Sequence, residues 1–235
     1  MLGHGGSGKT SLAEAMAYVS GAVNRMGKVG DGNTISDFDK EEQKRGFSIG
    51  TSLIPIEWEK AKINVLDTPG YFDFVGEVEE AVSVADAAVI VVSGKAGVEV
   101  GTEKAWDLCD KYNLPRMIYV TEMDLDDASF RQVVETLREK YGKVIAPHFM
   151  PIRENEKLVG YVNIIKNAGR RYTDIGKREE CEDPGLLYGL LAAVQRGAHG
   201  VCSGDKRGVS GPLSLRRGVL CGGDPFCYAY RSHGW

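Results

Sequence analysis

Apolar residues along this chain recur in two rhythms. In "KTSLAEAMAYV" (9–19), Leu12, Met16 and Val19 share one side of a helical period among good helix formers, which predicts an amphipathic helix ending by Gly21. "TSLIPIEWE" and "AKINVLDT" read as two strands joined by a turn at Glu59-Lys60. "AAVIVVS" (87–93) is an unbroken apolar run suited to a strand buried on both faces, and "RMIYVT" (116–121) is like it. Helical stretches at 73–84, 101–112 and 127–141 separate them, the last with Phe130, Val133, Val134, Leu137 and Tyr141 on one face. Strand and helix alternate, so the pattern predicts an α/β fold with a mostly parallel sheet and helices on both sides. Residues 27–50 hold many Gly, Asp and Lys with little periodicity and predict a long mobile loop. From 144 the rhythm changes: "VIAPHFMPI" and "KLVGYVNII" flank the turn "RENE" and predict a small appended β-rich unit.

Composition narrows this picture. The 235 residues are 43% hydrophobic, ample for a buried core, and no apolar run approaches the roughly 20 residues that span a bilayer. Without a basic-then-apolar leader either, the expectation is a cytoplasmic protein with no membrane partner. A net charge of −4 argues against a DNA partner and leaves nucleic-acid contact to local basic patches. The five cysteines, Cys109, Cys181, Cys202, Cys221 and Cys227, lack C-x-x-C spacing, so they read as free thiols and not as a zinc site.

Candidate chemistry begins at the third residue. "GHGGSGKTS" (3–11) matches the phosphate-loop spacing, in which Gly3, Gly5, Gly6 and Gly8 let successive N–H groups point at phosphate oxygens in front of a helix. His4, Ser7 and Ser11 complete the cradle. In this pattern Lys9 reaches the β- and γ-phosphates and the Thr10 hydroxyl binds Mg²⁺. "DTPG" (67–70) follows the apolar "INVL", so Asp67 stands at the carboxyl end of a strand, where open α/β sheets bind nucleotides. There it can hold Mg²⁺ directly or through water, while the Gly70 N–H contacts a γ-phosphate. Ser48, in "KRGFSIG", offers a second Mg²⁺ hydroxyl from a loop that orders around a triphosphate.

"GHGGSGKTSLAEAM", "KEEQKRGFSIGTS" and "LDTPGYFDFVGEV" together resemble the GTP-binding domain of translation elongation factor G and its relatives, including the elongation-factor-like and ribosomal-protection branches. "VADAAVIVVSGKAGVEVGTEKAW" is similar to the family's next strand and helix, and "MPIRENEKLVGYVNIIK" to the start of the subdomain inserted in its G domain. The similarity runs from residue 1 to about 182. It implies a P-loop NTPase three-layer sandwich that binds GTP/GDP with Mg²⁺, ribosome-stimulated GTP hydrolysis, the ribosome as partner, and a monomer. Residues 1–143 would form the GTP-binding domain, 144–182 the start of the inserted subdomain, and 183–235 an irregular tail.

Two departures from the family pattern bear on function. Its guanine-reading Asn-Lys-x-Asp is here "TEMD" (121–124). The resemblance leaves Asp124 to accept from the guanine N1–H and 2-amino group, puts Thr121 where an Asn braces the site, and puts Glu122, a negative charge near a polyanion, where a Lys covers the base. A lost buried hydrogen bond costs roughly 1–3 kcal/mol, so GTP affinity at least ~tenfold weaker is implied. The family's water-positioning His after DTPG is Tyr71. A phenol, with a pKa near 10, is a poor base at neutral pH, but phosphoryl transfer asks mostly for alignment and charge stabilisation, so Lys9, Gly70 and Tyr71 are the candidate catalytic set. His148 and "GRR" (169–171) read as structural, the latter as a solvated turn.

The family's continuation is an acidic helix, whereas no Glu follows Glu182 and 183–235 is Gly-rich. Shifting permitted codons by one nucleotide turns 183–210 into an acidic amphipathic helix, which suggests a single-base insertion or deletion near Asp183 and a compensating one before "LSLRRGVLCGGD". The first strand that leads into such a loop is missing ahead of Gly3, so the chain reads as a piece of a larger protein with uncovered apolar helix faces. A degenerate fragment with weak or no nucleotide binding is the competing reading, and a P-loop ATPase or kinase a third.

Overall fold

A computed structural model describes residues 1–155, 157–166, 168–174, 177–181 and 219–222. Within them the central sheet has the strand order β1-β4-β5-β11-β6, every neighbouring pair parallel. Its strands are β1 (Leu2–Gly3), β4 (Ala88–Ser93), β5 (Arg116–Thr121), β11 (Val219–Gly222) and β6 (Ile145–Pro147). The apolar runs behave as their lack of alternation requires: Ile90, Val91, Val92 and Ile118 have at most 1% of their surface exposed. Helices α1 (Lys9–Val19), α3 (Val75–Val84), α4 (Val100–Lys111) and α5 (Phe130–Tyr141) supply two apolar clusters. One joins Leu2, Ile90, Ile118, Val133 and Leu137; the other packs Leu12, Ala13, Met16 and Ala17 of α1 on Ile54, Ile56 and Val65. The second cluster is the cover for the helix face expected to be bare. It comes from the hairpin of β2 (Ser52–Trp58) and β3 (Ala61–Asp67), which turns at Glu59 with φ 51°.

Four expectations change on the structure. The first strand, read as missing, is present as the two residues of β1, which pair with Ile90 and Val91; the Met1 nitrogen donates to Leu66 O (2.6 Å) and Thr68 Oγ1 to Met1 O (2.6 Å), tying it to β3. "VIAPHFMPI" breaks at His148. Its first part becomes β6 and its second becomes β7 (Phe149–Glu154) of an antiparallel sheet ordered β10-β9-β8-β7, with β8 (Lys157–Asn163), β9 (Ala168–Asp174) and β10 (Lys177–Cys181). "GRR" is not a turn, since it lies within β9, where Arg171 forms a two-pronged ion pair with Glu154 (2.5 and 3.1 Å). In the supposedly irregular tail, Val219–Gly222 form β11, between β5 and β6. The frame-shift expectation for 183–210 falls outside the described residues, as do Cys202 and Cys227. Among the described residues no helix is long and apolar enough to cross a membrane.

Candidate functional site

The carboxyl ends of β1, β4 and β5 place the loops 3–8, 93–97 and 121–124 at one edge of the central sheet, and β3 of the hairpin, tied to Met1, brings the loop 67–74 to them. The phosphate-loop motif runs from β1 into α1 as its spacing predicts. Gly8 caps the helix in a left-handed conformation (φ 85°), with its α-carbon turned toward the Thr121 methyl. Lys9 is buried, 6% exposed, and its ammonium donates to His4 O (2.7 Å) and Gly3 O (3.1 Å). Burial lowers its pKa from 10.5 to about 8 against the pull of Asp67 and Glu99. Gly70 sits directly over this lysine; a Cβ there would lie 2.7 Å from Gly5 N and collide with the ammonium. His4 accepts from Gly101 N at Nδ1 (3.3 Å), and its Nε2 lies 3.5 Å from Glu99, so the loop is fastened to the start of α4.

Beside the lysine is a cluster of oxygen donors. Thr10 Oγ1 donates to Asp67 Oδ2 (2.7 Å) and lies 3.2 Å from Ser48 Oγ; Ser48 Oγ donates to Asp37 Oδ1 (2.7 Å), and Ser36 Oγ to Asp67 Oδ2 (2.6 Å). Asp67 is fully buried, and its Oδ1 has no partner among the described residues. Burial raises the Asp37 pKa, partly offset by the bond from Ser48. An orphaned buried carboxylate oxygen among hydroxyls is a fit for a hard cation such as Mg²⁺. Among the described residues no group of three His, Cys, Asp or Glu side chains could hold a metal, so an ion here would complete its shell with water or phosphate oxygens. Tyr71, 46% exposed, lies against Gly5 and packs on Phe47 with ring centroids 4.6 Å apart, closing one wall of a cavity of about 200 Å³ that contains Lys9, Thr10, Asp37, Ser48 and Gly70.

A second cavity, about 560 Å³, adjoins the loop at Gly6, Gly8 and Ser11 and is lined by Thr121, Glu122 and Asp124. Thr121 Oγ1 donates to Ser7 O (2.8 Å), with Val92 O also near (3.2 Å). Glu122 takes a left-handed backbone (φ 56°), and its carboxylate accepts from Ser93 Oγ, whose oxygen in turn accepts from Lys95 N and Ala96 N. Asp124 is exposed.

The sequence profile of the elongation factor Tu GTP-binding domain matches residues 1–200. The chain belongs to this GTP-binding family. It is 38% identical over 189 residues to a protein named ribosome-releasing factor 2, mitochondrial, of Anopheles gambiae (77% of this chain, 26% of that one), and 37% identical over 163 residues to elongation factor G of Granulibacter bethesdensis (69% and 24%). It superposes on a crystal structure of a Thermus thermophilus protein with a TM-score of 0.81 at 34% identity, over 94% of this chain and 36% of that one. The chain spans about a quarter of the length of the curated relatives it matches.

This G domain brings together the residues that sequence reading assigned to phosphate and cation: Gly3–Gly8, Lys9, Thr10, Ser48, Asp67, Gly70 and Tyr71 all meet at or beside one cavity. Ser11, exposed, lines this cavity too and also the larger one with Thr121 and Asp124. Two departures look different in place. Thr121 makes a hydrogen bond to the loop, so the buried bond expected to be lost has a replacement. Glu122 is drawn to the end of β4 by Ser93. Sequence reading missed Ser36 and Asp37, because nothing in their spacing marks them, and it missed the order of their loop. That order had a signal: Asp39 and Glu42 form a capping box at the start of α2 (Lys40–Arg45), a D-x-x-E pattern legible in "DKEE". Thr121→Val keeps the shape and removes the hydroxyl that bonds Ser7 O. We expect guanine-nucleotide affinity to fall ~10-fold while the melting temperature moves by a few degrees at most, as measured by titration and calorimetry.

Proposed function

We propose that this G domain binds GTP and GDP with Mg²⁺ and serves a GTP-hydrolysing factor that acts on the ribosome. The observation that carries the reading is the meeting of Lys9, Thr10 and Ser48 at one cavity, with the buried carboxylate of Asp67, one oxygen of it orphaned, bonded to Thr10 behind them. Backbone N–H groups of residues 5–10 and the Lys9 ammonium hold the phosphates. Thr10, Ser48 and Asp67 hold Mg²⁺, with Asp37 and Ser36 fixing Ser48 and Asp67 by hydrogen bonds. When bound, the ion withdraws charge from the β- and γ-phosphate oxygens. Asp124 selects guanine by accepting two hydrogen bonds, and Thr121 holds that turn to the loop. Tyr71, half-exposed beside Gly70, orients the attacking water through its hydroxyl, and the proton passes to phosphate or solvent and not to the phenol.

The ribosome enters from the relatives' names, elongation factor G and ribosome-releasing factor 2, and concerns the longer proteins of which this chain spans a quarter. Titration of the 235-residue chain with fluorescent GTP, GDP and ATP, with and without Mg²⁺, tests the reading. Mg²⁺-dependent binding of GTP over ATP is the expected result. Preference for ATP, or no binding of any triphosphate, would overturn it.

Lys9 adds a pH dependence. Its free-state pKa of about 8 means that the phosphate-binding ammonium is nearly fully present at about pH 7 and below, half present near pH 8, and lost as pH rises further. GTP affinity should therefore be flat below about pH 7.5 and fall above about pH 8, with proton uptake on binding near about pH 8.5. Calorimetry in buffers of different ionisation enthalpy reads this directly.

A further inference from the structure

We propose that Glu14 is a positioning residue, which fastens the segment 27–35 to helix α1 and so sets Ser36 and Asp37 at the cation cluster. The inference rests on the nucleotide-binding reading of that cluster. Glu14 is 1% exposed and stands one helical turn beyond Thr10, so both face the same side of α1. Its two carboxylate oxygens accept backbone N–H groups from the two ends of one segment: Oε2 from Gly27 (2.8 Å) and Oε1 from Ile35.

Between those ends the segment closes on itself. Lys28 N donates to Asn33 Oδ1 (2.7 Å), and Gly27 approaches Asn33 so closely that a Cβ would lie 2.6 Å from its carbonyl oxygen. Immediately after the second anchor come Ser36, bonded to Asp67, and Asp37, bonded to Ser48, with Ser52 Oγ donating to Ser36 O (2.5 Å). Thr10 and Glu14 thus divide the work on a single helix face: Thr10 meets the cluster, and Glu14 sets the path of the chain that completes it. A carboxylate buried this deeply needs its hydrogen bonds, so loss of the loop would leave it uncompensated. The coupling runs both ways.

A cap that only stabilised the fold would affect all ligands alike. A positioning residue would act on the Mg²⁺-triphosphate complex, because GDP without Mg²⁺ can be held by the phosphate loop alone. In the 235-residue chain, Glu14→Gln keeps the size and turns one acceptor into a donor facing an N–H. It should weaken Mg²⁺-GTP ~10-fold, leave GDP in EDTA within about twofold, and speed amide exchange at Gly27, Ile35 and residues 36–39. Glu14→Ala, which buries no unpaired amide, should do the same. Met16→Ala, a core change on the same helix, should lower the melting temperature and leave the GTP-to-GDP ratio alone. An unchanged ratio, or equal losses of GTP and GDP, in the Glu14 variants would overturn the proposal. If the unmodified chain binds no triphosphate, the nucleotide reading fails by itself; exchange at Gly27 and Ile35 then decides, and protection equal to the unmodified chain in both variants would overturn the role of Glu14.

Discussion

Replacing Lys9 by methionine is expected to abolish nucleotide binding and to raise the melting temperature of the unliganded protein. The two effects have one cause. The ammonium is 6% exposed, and burial has already drawn its pKa from 10.5 to about 8. A lysine whose folded pKa is lowered destabilises the fold below about pH 8, and the penalty fades as pH rises from 8 toward 10.5. At about pH 7 the penalty is on the order of 3 kcal/mol. Loss of the bonds to Gly3 O and His4 O returns part of it, leaving a net gain of about 1–2 kcal/mol, or several degrees in a chain of this size. Methionine keeps the apolar stem and fills the channel. Triphosphate affinity should fall by at least ~100-fold, because a charge-assisted contact in a closed site has no substitute. Calorimetry and titration near neutral pH check both halves; a variant that loses binding and stability together would show that the lysine also supports the fold.

Changing Asp124 to asparagine should exchange one purine for another. A carboxylate accepts from both the N1–H and the 2-amino group of guanine. The asparagine amide keeps one acceptor and presents a donor, which opposes the guanine amine but pairs with the 2-oxo group of xanthine. Each mismatch leaves a polar group unpaired in the pocket, so GTP affinity should drop by ~100-fold or more while XTP gains on the unmodified chain. Asp124 is exposed, so the substitution should leave the melting temperature nearly unchanged. Competition of XTP and GTP for a fluorescent guanine nucleotide measures the exchange, and unchanged selectivity would remove Asp124 from base reading.

Local order along the chain was legible wherever one physical signal dominated. The buried strands announced themselves because residues covered on both faces cannot alternate; helix α5 did so because Phe130, Val133, Val134 and Leu137 share a stripe. The loop and DTPG were legible because glycines at fixed spacing are demanded by backbone approach to a ligand, as the tight fit of Gly70 over Lys9 illustrates. Less visible was whatever depends on distant partners. Glu14 is one acidic residue in a helix until Gly27 and Ile35 close on it, and Thr121 is a substitution until its hydroxyl meets Ser7 O. In "VIAPHFMPI" only Pro147 and His148 interrupt the apolar run, and nothing in them says that the two halves join different sheets, a switch imposed by the neighbours of each half. His148 itself is held there by Asn163 (3.4 Å) and Ile164 N (2.9 Å).

The position of β11 has a consequence for how the domain is made. Leu220 pairs with Met117, which precedes it by 103 positions, and Leu220 also pairs with Ala146. During synthesis β5 and β6 therefore emerge long before the strand that joins them, and for that interval each presents an unsatisfied backbone edge. Such distant pairing slows folding and exposes the nascent sheet to mispairing. A ribosome paused between residues 147 and 219 would hold a chain whose β5 edge has no partner, because the strand that fills it is not yet made.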